Sequence, residues 1–600
     1  MSMKALLSGN EAIARGAYEY GVRFGAGYPG TPSTEILEEF SRYDGVYAEW
    51  SPNEKVALEV GIGAALAGEM ALVTMKHVGL NVAADPLFTV SYTGINGALV
   101  IVSADDPSMH SSQNEQDNRN YAKFAKIPML EPADSEEARR FVKIAFEISK
   151  KHDTPVILRT TTRVSHSKGI VELEEPRPYE DNRIIKYDAA KYVMVPAMAR
   201  IRRHEVEKRL KVLRDLADNF PENRIELADK KIGIITSGMC YNYAKSKFPD
   251  FSYLKCGMVY PLPVGLIRKF ASQVEKIYVI EELDPFIEEQ VKAIGIPVVG
   301  KEIFPYTGEF DPGIIYEAIT GKKIATLTLP PEVALPPRPP NLCPGCPHRG
   351  LFYILGKLKV FVTGDIGCYT LAFMKPLEGL HSCICMGASI GMAHGMSKAL
   401  GERGKGKVIG VIGDSTFLHS GITPLLNVAY NKGEALIIIC DNRTTAMTGM
   451  QEHPGTGFTL QGASTKALSY EALGEVLGMD SVRVIDPYNL KETEEVIEEE
   501  LNREGASLII SRRACVLYRR EKTKQTPLWV EEEKCIGCGR CLDIGCPAIS
   551  WVNFDDMPPG SYKKITKKQK GRAEIDPDAC TGCSVCAQLC KTRAIIKRGD

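Results

Sequence analysis

Eight of the seventeen cysteines fall between Cys535 and Cys590, in two blocks of nearly equal spacing. The first is Cys535-x2-Cys538-x2-Cys541-x4-Cys546, followed by Pro547; the second is Cys580-x2-Cys583-x2-Cys586-x3-Cys590. Three thiols at two-residue steps can wrap one face of a cubane, and a fourth must come from elsewhere. Thiolates are soft ligands that suit iron–sulfur clusters. Zinc is the alternative for CxxC pairs, but zinc sites seldom need a third cysteine at this spacing. The cysteines are sparse over the rest of the chain, so they read as metal ligands in a reducing compartment rather than as disulfides.

The two blocks resemble those of two-cluster [4Fe–4S] ferredoxins, in which the fourth cysteine of each block ligates the other cluster. The resemblance implies one cluster on Cys535, Cys538, Cys541 and Cys590, and another on Cys580, Cys583, Cys586 and Cys546. Two departures stand out: four residues instead of three precede Cys546, and Lys591 replaces the usual proline. Between the blocks, Lys563, Lys564, Lys567, Lys568 and Lys570 offer either a docking loop for an acidic electron carrier or a solvated loop.

That tail is a small part of 600 residues, too many for one core. The charged fraction is 25% and the net charge −1, which gives no electrostatic case for nucleic acid or a membrane surface. No apolar run is long enough to span a bilayer, and Met1–Ala14 lacks a signal-peptide core. A cytoplasmic enzyme is the expectation.

Upstream, short apolar runs alternate with helical patterns, the mark of α/β domains with doubly wound parallel sheets. In residues 1–180 the runs Ala98–Ser103 and Pro155–Arg159 read as strands and Glu54–Ala67 as a helix. Residues 181–330 hold a solvated connecting helix around Ala197–Ala217 and a second α/β domain with strands from Lys231, at Lys276–Ile280 and at Ile296–Val299. The proline-rich Leu329–Pro340 favours an extended spacer. Residues 341–520 form a third α/β domain with strands Lys407–Ile412 and Ala435–Cys440. Residues 527–600 show no long helical or strand pattern, so their order must come from their ligands, and the ferredoxin resemblance implies an α+β fold there.

Gly413-Asp414-Ser415 follows the first of these last two strands, and Asn442 lies twenty-eight residues after Asp414, beyond the second. This resembles the metal and diphosphate motif of thiamine diphosphate enzymes, with Ser415 in place of a second glycine. Mg²⁺ takes oxygen ligands and shares them with phosphates, and adjacent parallel strands put both loops at one carboxyl edge. The resemblance makes the ligands the Asp414 carboxylate, the Asn442 amide oxygen and the Thr444 carbonyl. Near the N-terminus, Tyr28-Pro29-Gly30-Thr31-Pro32-Ser33 looks like an element of the 2-oxoacid:ferredoxin oxidoreductases. That family implies that Glu54, in Asn53-Glu54-Lys55, hydrogen-bonds the aminopyrimidine of the cofactor, and that Thr31 contacts substrate. The plainer readings are an exposed helix carboxylate, with Glu59 as the other candidate, and a turn hydroxyl capping a helix near Ser33.

Cys343-Pro-Gly-Cys346-Pro-His348 opens the third domain. Related oxidoreductases begin a proximal cluster with such a pair, and Cys368 and Cys515 match the places of its other ligands. Cys383, Cys385 and Cys440 are spare candidates, and buried free thiols are common.

The domain order resembles the thiamine diphosphate-dependent 2-oxoacid:ferredoxin oxidoreductases over nearly the whole chain. It is most similar to the large (alpha) subunits of the indolepyruvate branch, through Lys76-His77-Val78-Gly79-Leu80-Asn81, Cys385-Met386-Gly387-Ala388-Ser389-Ile390-Gly391 and Gly413-Asp-Ser-Thr-Phe-Leu-His-Ser-Gly421. The resemblance implies oxidative decarboxylation of an aryl pyruvate with coenzyme A, giving the aryl-acetyl-CoA, CO₂ and reduced ferredoxin. It also implies a smaller beta subunit in an α2β2 assembly. His77 and His419 are either near the substrate or satisfied core histidines. The competing readings are an enzyme of the same family for another 2-oxo acid, a non-redox thiamine decarboxylase, and a non-catalytic electron-transfer subunit.

Overall fold

The computed structural model describes residues 3–181, 183–184, 187–324, 330, 335, 338–521, 526–558 and 562–597. They gather into two compact units, Met1–Pro331 with Leu460–Gly462 and Glu332–Thr459 with Ala463–Asp600. The stretch Leu329–Pro340, read above as a spacer, lies mostly outside the described residues.

The first unit is built on a seven-stranded sheet. Its order is Met258–Tyr260, Met129–Leu130, Val156–Thr161, Ala98–Asp105, Met70–Lys76, Phe24–Gly27 and Tyr47–Trp50. Every residue of Ala98–Asp105 is buried, as an apolar run without alternation requires of a strand covered on both faces. The chain leaves Phe24–Gly27 for the outer strand Tyr47–Trp50, then returns to Met70–Lys76 and moves the other way to Ala98–Asp105. The connections therefore diverge between Gly27 and Lys76, the kind of switch point where open parallel sheets hold ligands.

A second sheet of this unit runs Lys276–Ile280, Asp229–Ser237, Phe251–Cys256 and Arg224–Glu226. Directly beyond Gly257, Met258–Tyr260 leaves it and pairs antiparallel with Met129–Leu130 of the first sheet. Residue 181 is thus no break between compact units. The strand expected at Ile296–Val299 reduces to one bridge between Tyr278 and Val299, because Pro297 has no N–H to give a ladder. The helix Pro196–Asp218 is not a solvated spacer: it buries Val206, Leu210, Leu213 and Ala217 along one face.

The second unit holds a fully parallel six-stranded sheet. Its order is Ser382–Cys383, Phe361–Gly364, Val408–Gly413, Leu436–Asp441, Ser507–Arg512 and Ser481–Ile485. Here the connections diverge between Gly364 and Gly413. The tail adds two small antiparallel pairs, Leu528–Val530 with Ile595–Lys597 and Ile549–Asn553 with Gly571–Ile575. Its cysteines, apart from the exposed Cys538, share one apolar core with the helix His348–Leu358. Among the described residues no helix is long and apolar enough to cross a membrane.

Buried charge ties the two sheets of the first unit. Arg119 reaches Asp117 (Nε–Oδ1 2.9 Å) and Glu281 (Nη1–Oε2 2.6 Å), and Arg159 reaches Asp105 (2.7 Å) and Glu131 (2.6 Å). Both guanidinium groups are buried. Arg119→Met strands the buried Glu281 without its cation and leaves Asp117 only Arg159 at 3.9 Å, so urea denaturation should show a loss of about 3–5 kcal/mol. An unchanged midpoint would mean that the network carries no stability.

Candidate functional site

In the second unit, Asp414 and Asn442 follow adjacent parallel strands, Gly413 at the end of one pairing with Cys440, the next-to-last residue of the other. The Asp414 carboxylate is buried and accepts three backbone N–H groups: from Ser415 on Oδ1 (2.8 Å), and from Asn442 (3.1 Å) and Arg443 (2.8 Å) on Oδ2. Ser415 has a right-handed helical backbone, so its side chain fits where a second glycine is usual. Its hydroxyl accepts from Thr445 (2.8 Å). The Asn442 amide oxygen accepts from the Thr444 N–H at 3.2 Å. Gly413 donates its N–H to the Tyr369 hydroxyl at 2.9 Å, which joins this loop to the other side of the switch point. The oxygen donors of Asp414 and Asn442 are hard ligands on one carboxyl edge, a donor set that fits Mg²⁺ with a diphosphate.

Two histidines at this edge were not given roles by the sequence. His453 Nε2 lies 3.3 Å from Asp414 Oδ2. His348 Nε2 lies 3.4 Å from Asn442 Nδ2. Burial pushes the His348 imidazole down to about 4, against the pull of Asp414, so it is neutral and accepts from the amide. His348 was visible only as part of Cys343–His348, and His453 had no signal at all. His419 is buried within the π-helical turn Phe417–Gly421, its Nδ1 2.6 Å from Ser420 Oγ.

The cysteines gather in three groups. Burial, then Cys535, Cys538 and Cys590, push the Cys541 thiol up to about 11. Burial, then Cys583, Cys546 and Cys580 with Cys541 beyond them, raise Cys586. Burial, then Cys515 and Cys343, push Cys368 up to about 11, and Cys346 is raised by burial and by Cys368 and Cys515. These neighbourhoods group Cys535/Cys538/Cys541/Cys590, Cys546/Cys580/Cys583/Cys586 and Cys343/Cys346/Cys368/Cys515, with Cys541 also acting on Cys586. Among the described residues no three His, Cys, Asp or Glu side chains close up as a site for a single ion. A cubane asks for less, since each of its thiolates binds a different iron. Backbone N–H groups of Leu528 and Ala594 donate to Cys580 Sγ (3.4 Å) and Cys590 Sγ (3.2 Å), contacts of the kind that tune clusters. Cys383 is raised mainly by burial and Asp365, whereas Cys440 is raised by burial, Asp414 and then Cys346, so Cys440 borders the third set. Cys385 is exposed. The Cys515 N–H donates to the Asn442 carbonyl at 2.9 Å, so the third set adjoins the diphosphate-type loop.

In the first unit, Asn53 caps the helix Glu54–Leu66 by accepting the Val56 N–H (2.9 Å), and Glu54 in its first turn is buried. Glu59 is exposed and pairs with Lys55. A Cβ on Gly79 would fall 2.6 Å from Glu54 Oε1, so only glycine admits this carboxylate. Thr31 sits on the turn before the helix Thr34–Phe40, whose N-cap Ser33 makes no side-chain cap bond. Neighbouring Gly30 packs on the methylenes of Lys76. Lys76 Nζ donates to Ser111 O and Ser112 Oγ, both at 2.8 Å. Burial pushes this amine down to about 8, although Asp106 and Glu54 pull it up. His77 is buried, with Nε2 3.2 Å from Asn114 Oδ1; burial and Lys76 lower it. Thus Glu54, Lys76, His77 and the Tyr28–Thr31 turn share the switch point of the first sheet.

Residues 15–222 match the family described as pyruvate flavodoxin/ferredoxin oxidoreductase, thiamine diP-binding. Residues 365–511 match the thiamine pyrophosphate enzyme, C-terminal TPP binding domain, and 534–594 the 4Fe-4S dicluster domain. The indolepyruvate oxidoreductase subunit IorA of Pyrococcus horikoshii is 43% identical over 99% of this chain and 97% of its own length. That of Archaeoglobus fulgidus is 40% identical over the same shares. A solved 2-oxoglutarate:ferredoxin oxidoreductase from Magnetococcus marinus covers 53% of this chain and 65% of its own at 16% identity and a TM-score of 0.45. The chain belongs to the indolepyruvate oxidoreductase subunit IorA family of 2-oxoacid:ferredoxin oxidoreductases, enzymes of thiamine diphosphate and iron–sulfur clusters.

Proposed function

We propose that this chain is the catalytic large subunit of an enzyme that oxidatively decarboxylates aryl pyruvates, indolepyruvate among them. Coenzyme A would take the acyl group, and two ferredoxins would each take one electron. The products are the aryl-acetyl-CoA and CO₂. The observation that carries this reading is the hydrogen bond from Cys515 to the Asn442 carbonyl. It ties a four-cysteine group to the diphosphate-type loop, an arrangement for which a non-redox decarboxylase has no use. The smaller beta subunit, in an α2β2 enzyme, follows from the same reading, since the relatives are themselves called subunits.

Bound thiamine diphosphate supplies the electron sink for losing CO₂ from a 2-oxo acid. Asp414, Asn442 and the Thr444 carbonyl would hold Mg²⁺ and the diphosphate, with Gly413 and Ser415 shaping the loop. Glu54 would hold the proton shared between its carboxylate and the aminopyrimidine. Thr31 would touch substrate, and Lys76 would give the substrate carboxylate its countercharge. Cys343, Cys346, Cys368 and Cys515 would carry a proximal [4Fe–4S] cluster beside the two in the tail.

Four measurements test this. With beta subunit present, indolepyruvate and phenylpyruvate should reduce ferredoxin faster than pyruvate or 2-oxoglutarate do. Preference for pyruvate or 2-oxoglutarate would select the other family reading, and aldehyde as main product would sink the redox one. Asp414→Ala should lose bound thiamine diphosphate while keeping its iron, and Glu54→Gln should keep both yet lose about 10²–10⁴-fold in turnover. Iron should come to about twelve per chain, with about eight removing the proximal cluster. Lys76 faces Asp106, Glu54 and His77. Its amine is charged below about 8 and neutral above, so kcat/KM should fall as pH rises through that range, and Lys76→Met should remove the inflection. An inflection that survives in the variant would assign it to another group.

A further inference from the structure

Arg349, one residue after His348, is buried in the second unit. Its Nε donates to the Cys343 carbonyl (3.0 Å) and its Nη2 to the Leu342 carbonyl and Asn341 Oδ1 (3.3 Å). Its Nη1 crosses to the tail and donates to the carbonyls of Ile544 (3.2 Å) and Gly545 (2.6 Å). Every one of these acceptors is a neutral oxygen. Burial works against its charge, and the sulfurs of Cys546, Cys346, Cys343 and Cys583, charged only as thiolates, are the neighbours that favour it. A buried cation with no carboxylate is costly, unless anions of another kind flank it. Two four-thiolate clusters would be such anions.

Other contacts link the same pair of cysteine sets. The Tyr488 hydroxyl donates to the Gly345 carbonyl, and Tyr488 feels both Cys583 and Cys346. A Cβ on Gly345 would fall 2.0 Å from Thr581 Oγ1, so the Cys343–Cys346 loop touches the turn between Cys580 and Cys583. Gln588 donates to the Tyr488 carbonyl at 2.7 Å and accepts the Leu490 N–H at 3.0 Å. None of these reaches Cys535, Cys538 or Cys541. On that side Cys538 is exposed. Gln569 anchors the exposed lysine loop by donating to the Cys535 carbonyl at 2.9 Å.

We propose that Arg349 is the positioning residue of the first transfer between clusters. Its fork clamps the Cys546/Cys580/Cys583/Cys586 set against the Cys343/Cys346/Cys368/Cys515 set, and its charge makes both clusters easier to reduce. Electrons then run from the Cys343 set to the Cys546 set and leave from the Cys535/Cys538/Cys541/Cys590 set. Each step oxidises the donor cluster by one electron and reduces the acceptor by one, and ferredoxin takes the electron at the end. This inference rests on the proximal cluster proposed above.

The test is an EPR-monitored redox titration of the holoenzyme, with iron analysis, for wild type, Arg349→Gln and Arg349→Lys. Wild-type enzyme with about eight irons instead of about twelve would remove the proximal cluster, and this inference with it. With twelve, Arg349→Gln should move two of the three midpoint potentials to more negative values and leave the third in place. Arg349→Lys, which keeps the charge, should bring them back toward wild type. Three unmoved potentials, or three that move together, would overturn the assignment. If the Gln variant loses tail iron, the Lys variant decides: it must keep its iron and near-wild-type potentials, and failure in either overturns the role of the charge.

Discussion

Three backbone N–H groups converge on one buried carboxylate, that of Asp414. The acceptor draws the ends of two neighbouring strands together and fixes the Asn442 loop. It also holds Arg443 at φ 65°, a left-handed backbone that costs a non-glycine residue about 1–2 kcal/mol. From there the geometry propagates. The Asn442 carbonyl takes the Cys515 N–H, its amide reaches His348, and His348 lies two residues from Cys346. The diphosphate-type loop and the Cys343/Cys346/Cys368/Cys515 group are therefore parts of one hydrogen-bonded construction, with neutral His348 as a link that adds no charge of its own.

Much of this was legible because it depends on short spacings. Gly413-Asp414-Ser415 and Asn442 could be read because each follows an apolar run, and parallel strands deliver such loops to the same edge. The tail cysteines could be read because ligand spacing is a local code. Cys368 and Cys515 carried no such code and needed the resemblance. The burial of Glu54 depends on Gly79, twenty-five residues away in sequence, and nothing in the charge of Glu54 announces it. His453 and Arg349 were silent for the same reason, since their partners are distant in the chain. The same holds for the passage of Met258–Tyr260 into the first sheet, a choice made by the edge available to it and not by its own three residues.

The first unit repeats the architectural rule with different chemistry. Lys76 and His77 end one strand, the Tyr28–Thr31 turn follows its neighbour, and the connections diverge between them. Among the described residues, the half-buried Lys76 amine there donates to a carbonyl and a hydroxyl and to no carboxylate, at the carboxyl edge of an open sheet. The carboxylate Glu54 stands in the same corner, so an acidic and a basic side chain meet at this switch point.

The additional residue in Cys541-x4-Cys546 takes on meaning beside Arg349. Gly545 lies at φ 66° and presents its carbonyl to the guanidinium, and a Cβ there would stand 3.0 Å from Pro376. A ferredoxin block with three residues at this point would lack one link of that turn. Fusing the carrier to the enzyme therefore does more than raise its local concentration. On the electron path proposed above, it would turn a chance encounter between two proteins into a fixed hop and leave only the final hand-over to ferredoxin to diffusion. The tail accordingly cannot be exchanged for a freely diffusing carrier of ordinary spacing without giving up that contact.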